Sequence, residues 1–189
     1  MRTGIIFIFI FSAFQIFSQK QITSKVPKEY SFEAGYRRVF SQSNVTNSAS
    51  SGYGVLFDYA WQLSGFDGSK PASFISVPMG YTVLMPDNPA QVRTSMLNYG
   101  WTVRHELKKV ARWMPFVGYG LLLNTLRFDG TEGSIFGHQT QFEFGYNYQT
   151  SARLQYFAKI QYSYTSYPQL NEPERIKYHY ADVRVGVRF

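Results

Sequence analysis

A strict period of two runs through most of this sequence, and it limits the possible folds more than any other property. In the last nine residues, ADVRVGVRF, Ala181, Val183, Val185, Val187 and Phe189 share one parity, and Asp182, Arg184, Gly186 and Arg188 share the other. That is a strand with one apolar and one polar face. The pattern recurs in YSFEAGYRR, GYGVLFDYAW, FISVPMGYTVL, LNYGWTVRHEL, MPFVGYGLLLNTL, TQFEFGYNYQ and RLQYFAKIQYSYT. Turn-rich stretches such as LSGFDGSKPAS, PDNPAQ and QTSA separate these segments. Eight antiparallel strands of roughly nine to twelve residues are therefore expected. Phe74 and Pro78 blur the third strand, since Pro78 cannot donate to a ladder, and the registers of the third and fifth strands stay open.

Parity also indicates which face looks outward. One parity carries Tyr30, Phe32, Tyr36, Phe57, Tyr59, Trp61, Tyr99, Trp101, Tyr119, Phe142, Phe144, Tyr146, Tyr156, Tyr162 and Phe189. An eight-stranded barrel has an interior only just wide enough for ordinary side chains and cannot hold that set. The opposite parity carries glycines and charges of both signs: Glu33, Arg37, Asp58, Arg104, Glu143, Arg153, Lys159, Asp182, Arg184 and Arg188. The bulky face is expected to meet lipid, with the charges forming a network in a small polar lumen. Backbone groups in hydrocarbon must all be paired, so the sheet has to close, with the last strand on the first. Strands near ten residues, even in number, suit a tilted bilayer crossing. Trp61, Trp101, Trp113, Tyr148, Tyr164 and Tyr167 are candidates for interfacial aromatic girdles.

The first residues, MRTGIIFIFIFSAFQIFSQK, have a positive start, an apolar run over 4–17 and a small residue before Gln19. They read as a signal peptide over 1–18, cleaved at Ser18–Gln19, leaving 19–189 as one domain. The chain has no cysteine, so neither a disulfide framework nor a lipid anchor at this site is expected. Aromatics make up 19% of residues, which favours strands. The net charge of +7 is scattered along the chain, which argues against nucleic acid and for mild attraction to anionic head groups.

Together the leader, the eight alternating segments and the Phe-terminated last strand resemble small bacterial outer-membrane β-barrels of the OmpA/OmpX-like class. The resemblance covers 19–189, is architectural, and rests on no sharp motif. It implies an eight-stranded antiparallel up-and-down transmembrane barrel, integral to the outer membrane of a Gram-negative bacterium, in contact with outer-membrane lipid and lipopolysaccharide. It also implies that Val183, Val185, Val187 and Phe189 form the signal read by the outer-membrane assembly machinery. The aromatic-rich composition and the Ser-Gln cleavage site look like those of Bacteroidetes.

Little in the sequence speaks for chemistry. His138, Thr140 and Glu143 come nearest to a catalytic set, but Glu143 lies on the opposite parity, and a base needs its orienting acid within hydrogen-bond reach. The His-x-Ser pattern of lipid A deacylases is absent. His105-Glu106 lacks the second histidine of a zinc helix motif, and the glycines form no phosphate-cradling fingerprint, so no metal or cofactor is expected. His179 lies on the apolar parity at the outer interface. The reading is a non-enzymatic structural or interaction barrel, or an accessory subunit of a larger envelope complex, acting through outer loops at 41–51, 87–94, 127–138 and 167–177. The alternatives are a narrow channel for ions or small solutes and a lipid A-modifying enzyme.

Overall fold

The computed structural model describes residues 28–44, 48–64, 72–150, 154–168 and 174–189; the expected leader over 1–18, its cleavage site and Arg153 lie outside the described residues. Eight strands follow in chain order: β1 (Lys28–Ser43), β2 (Ala49–Ser64), β3 (Ser73–Pro86), β4 (Thr94–Glu106), β5 (Trp113–Phe128), β6 (Ile135–Gln149), β7 (Gln155–Tyr167) and β8 (Ile176–Arg188). Each pairs antiparallel with its chain neighbour, and β8 pairs with β1 to close the barrel. Tyr30 and Phe189 exchange both backbone hydrogen bonds, at 3.1 and 2.9 Å, so the last residue is fastened at the seam. We call the end carrying Tyr30 and Phe189 the terminal end, and the opposite one the far end.

The strands are longer than the alternation alone suggested. They run to 13–16 residues, because the hairpin ladders continue into segments that read as loops. The expected loop over 127–138 shrinks to a tip at 129–134, since Leu126 still pairs with Ile135. The loops over 41–51 and 87–94 shrink likewise, to 44–48 and 87–93. The tips at the far end are tied together. Ser48 Oγ donates to Gln91 Oε1 at 3.0 Å, Asp87 N donates to Ser48 O at 3.1 Å, and Asn44 Nδ2 donates to Arg175 O at 3.1 Å.

Both open registers close in the structure. In β3 the ladder to β4 lapses between Ser76↔Thr102 and Met79↔Tyr99, then resumes without a shift. The lapse falls at Pro78, which has no N–H to offer. In β5, Leu121 and Leu123 point outward and Leu122 points inward, opposite Gly100.

The bulky parity faces outward on every strand. Phe32 is 54% exposed, while Glu33 beside it is 5% exposed. Outward rings meet across strands, as in Tyr30–Tyr59 at 4.9 Å, Phe32–Phe57 at 5.0 Å and Tyr36–Tyr53 at 5.4 Å between centroids. Such cross-strand pairs stabilise a sheet by roughly 0.2–1 kcal/mol each. From Tyr30 to Phe40 the outward set spans ten steps along β1. At ~3.3 Å per step and a tilt of ~40°, that is a band about 25 Å tall, the height of an outer-membrane apolar belt.

Candidate functional site

The interior is stratified rather than uniformly polar. Nine of the expected lumen charges (Glu33, Arg37, Asp58, Arg104, Glu143, Lys159, Asp182, Arg184 and Arg188) lie on the inner face. They are joined by Glu29 and Glu106, which sequence reasoning missed because they sit at the ends of the alternating segments. At the terminal end Arg104 pairs with Glu29 at 2.5 Å and Glu106 at 3.5 Å, and Arg188 approaches Glu29 at 3.6 Å. Asn147 ties this layer together: its Nδ2 donates to Glu106 at 3.1 Å, and its Oδ1 accepts from Arg188 at 2.8 Å. Above them Lys159 donates to Glu33 at 3.0 Å and to Glu143 at 2.8 Å. Higher still, Arg37 grips both oxygens of Asp182, at 2.8 and 3.1 Å, and its guanidinium lies 3.7 Å from the Tyr180 ring centroid. Buried charge requires this kind of pairing.

Aromatic rings share the inner face. Phe74, Phe116 and Phe157 are buried at the terminal end, where Arg104 sits over Phe74 at 4.3 Å and Arg188 over Phe157 at 4.8 Å. Two inner glycines make room for them. Phe157 pairs directly with Gly186 and Phe116 with Gly145; a Cβ on Gly186 would lie 2.6 Å from the Phe157 ring. Midway, a neutral layer joins Gln139, Gln141, Gln161 and Ser163, and the Tyr180 hydroxyl donates to Gln139 Oε1 at 2.7 Å.

The far end of the lumen is closed by an apolar plug of Val39, Ala49, Leu84, Met96, Leu126, Tyr167, Ile176, Tyr178 and Tyr180. This corrects the expectation for Tyr167. It is 0% exposed inside the barrel, not in a girdle, because it shares the inner parity of β7 with Lys159, Gln161 and Ser163. Parity, rather than residue type, sets its direction. Between the ionic layers, Ser31, Asp58, Ser76, Thr102 and Arg104 help line a cavity of about 10 Å³. That holds about one water.

Trp61, Trp113 and Tyr148 point outward near the terminal end, with Trp113 and Tyr148 in contact at 4.8 Å. Trp101 lies five residues in from the Glu106 end of β4, within the band. Tyr164 points outward near the far end and packs on His179 at 4.8 Å. Val183, Val185, Val187 and Phe189, the residues expected to form an assembly signal, make one outward row on β8. His138 and Thr140 face outward on β6, while Glu143 is held inside by Lys159, so the barrel wall separates the three.

The outward parity has one charge within the band among the described residues: Arg38, exposed on β1 between Tyr36 and Phe40. A lipid-facing arginine costs about 2–4 kcal/mol at a bilayer midplane, falling to about 0–1 kcal/mol near an interface. Arg38 lies one outward step short of the Phe40 edge, at the cheap end of that range.

No protein-family profile and no curated protein matches this sequence. Solved structures do match the fold. The chain is similar to Neisserial surface protein A, with a TM-score of 0.65 and 15% identity, over 87% of this chain and 98% of that one. It also matches the N-terminal β-barrel domain of Pseudomonas aeruginosa OprF, with a TM-score of 0.49 and 13% identity, over 87% of this chain and 100% of that one. Ail, the attachment invasion locus protein of Yersinia pestis, matches with a TM-score of 0.49 and 13% identity, over 85% of this chain and 98% of that one. At these identities the fold alone is shared.

Proposed function

We propose that this protein is an integral outer-membrane barrel of a Gram-negative bacterium, closed to solutes and non-enzymatic, whose work is done by its far rim as an interaction surface or as an accessory subunit of an envelope complex. The observation that carries this reading is the pairing of an apolar, aromatic band about 25 Å tall outside with a filled, ion-paired core inside. Burying that band in lipid satisfies it; exposing it to water would leave an apolar patch far beyond the few hundred Å² a soluble monomer tolerates. The terminal end then faces the periplasm and the far rim faces out. The rim tips, cross-linked through Ser48, Gln91, Asn44 and Arg175, form a platform on a rigid scaffold. A leader over 1–18, a Bacteroidetes origin and recognition of Val183, Val185, Val187 and Phe189 by the assembly machinery belong to the same reading.

Extraction in mild detergent, followed by affinity capture, tests it. Co-purification with larger envelope proteins, lost when the tips at 87–93 and 129–134 are replaced by short Gly-Ser turns, supports an accessory subunit; recovery as a lone monomer counts against it. The narrow-channel reading requires steady conductance in planar bilayers; the apolar plug at the far end and the ion-paired layers below it predict none. The lipid A-modifying reading requires a mass change in lipid A that is lost on His138→Ala.

A further inference from the structure

We infer that the outward surface around Arg38 at the far end of the β1–β8 seam binds the phosphate groups of an acylated, phosphorylated glycolipid. This rests on the outer-membrane reading above and adds a ligand class and a location to it. Arg38 pairs with Ser51 on β2 and Ala181 on β8, so small neighbours on both sides leave its guanidinium uncovered. Just above it the β1–β8 register shifts between Val39 and Ser41, so that Ser41 joins Phe40, already on the outward parity, on the outer face beside His179. Bulges commonly re-aim side chains at functional surfaces.

Phe40 stacks on Tyr162 at 5.9 Å and lies 6.3 Å from His179. The Tyr162 hydroxyl and His179 Nδ1 share a hydrogen bond of 2.8 Å, and Tyr164 closes the group at 4.8 Å from His179. Beyond this aromatic shelf Lys177 is exposed on the outward parity, opposite Ser43 and Ser166. Among the described residues the ion pairs engage neither Arg38 nor Lys177.

The order along the wall is therefore cation, aromatic shelf, cation, placed where the apolar band ends. Acyl chains meet the band, sugar or glycerol faces suit the rings, and phosphates suit the two cations. Four residues separate Lys177 from the row of Arg38, about 13 Å along the strand. That spacing favours a head group carrying two phosphates over a single phosphate bridging both cations.

The test uses the full barrel in phosphatidylcholine nanodiscs, titrated with bisphosphorylated lipid A and, separately, with its dephosphorylated form. The wild type, Arg38→Gln, Lys177→Gln, the double variant and Arg127→Gln are compared; Arg127 is an exposed cation at the same end on β5. The double variant is expected to lose about tenfold or more in affinity for the phosphorylated lipid, at roughly a factor of five per cation. It should match the wild type on the dephosphorylated lipid, with Arg127→Gln within about twofold throughout. Unchanged binding by the double variant, or an equal loss in Arg127→Gln, overturns the site. Competition by millimolar inorganic phosphate would mean that free phosphate is the ligand, and overturns the lipid assignment. A wild type that does not insert into the bilayer refutes the outer-membrane reading itself; insertion with binding indifferent to Arg38 and Lys177 refutes only this site.

Discussion

Replacing Asp182 by asparagine probes whether the core is held by paired charges. Asp182 accepts from Arg37 at 2.8 and 3.1 Å and lies 3.5 Å from Arg184, and all three side chains are 1% exposed. Asparagine keeps the shape but removes the anion, leaving two buried guanidiniums facing a neutral amide. Each cation–carboxylate attraction at about 4 Å is worth about 4 kcal/mol at an effective dielectric of ~20. The Arg37–Tyr180 contact survives the change and retains about 1–2 kcal/mol. Breaking a buried pair by removing one partner costs about 3–5 kcal/mol, and that is the predicted loss for Asp182→Asn. The measurement is reversible urea unfolding in phospholipid vesicles, followed by tryptophan fluorescence and by the gel-mobility shift of the folded barrel. A double variant, Arg37→Met with Asp182→Leu, leaves only Arg184 without its anion and should lose less than Asp182→Asn alone, which strands both Arg37 and Arg184. If Asp182→Asn unfolds within about 1 kcal/mol of wild type, the ion pair does not carry the core and the reasoning fails.

Three further outcomes are expected. Val183→Arg, in the middle of the outward face of β8, should cost about 2–4 kcal/mol in vesicle unfolding; a neutral effect would mean that this face does not meet hydrocarbon. Gly186→Ala should cost about 1–3 kcal/mol in the same assay, because the new Cβ meets the Phe32 carbonyl oxygen and, at 2.6 Å, the Phe157 ring; Phe157→Leu in the same chain relieves only the ring contact and should recover part of the loss. Ala111 holds φ 55° in the tight β4–β5 turn, a left-handed conformation that disfavours a Cβ. Ala111→Gly should therefore stabilise the barrel by about 0.5–1 kcal/mol, and a loss would show that the turn is not strained there.

The direction of nearly every strand side chain was legible because parity needs no knowledge of partners: one extended backbone alternates wherever it lies in the sheet. What depends on pairing was not legible. Phe157 reads as an anomaly on a polar face until the β7–β8 register sets it opposite Gly186. Glu29 and Glu106 join the ion network only because the ladders run past the ends of the evident alternation. Tyr167 shows the opposite error: its residue type suggested a girdle, whereas its odd number on β7 already placed it inside with Lys159 and Gln161. The far rim carries neither constraint, since tips at 87–93 and 129–134 are free of both period and register. Arg38 stands between these cases. Its even number sets it among Tyr36 and Phe40 on the lipid side, so a cation there breaks the rule that governs its neighbours. Arg127 and Lys177 share the outward face but sit at strand ends, whereas Arg38 lies within the band; a cation there needs a local compensating partner, and the one proposed above is a lipid phosphate at the upper edge of the band.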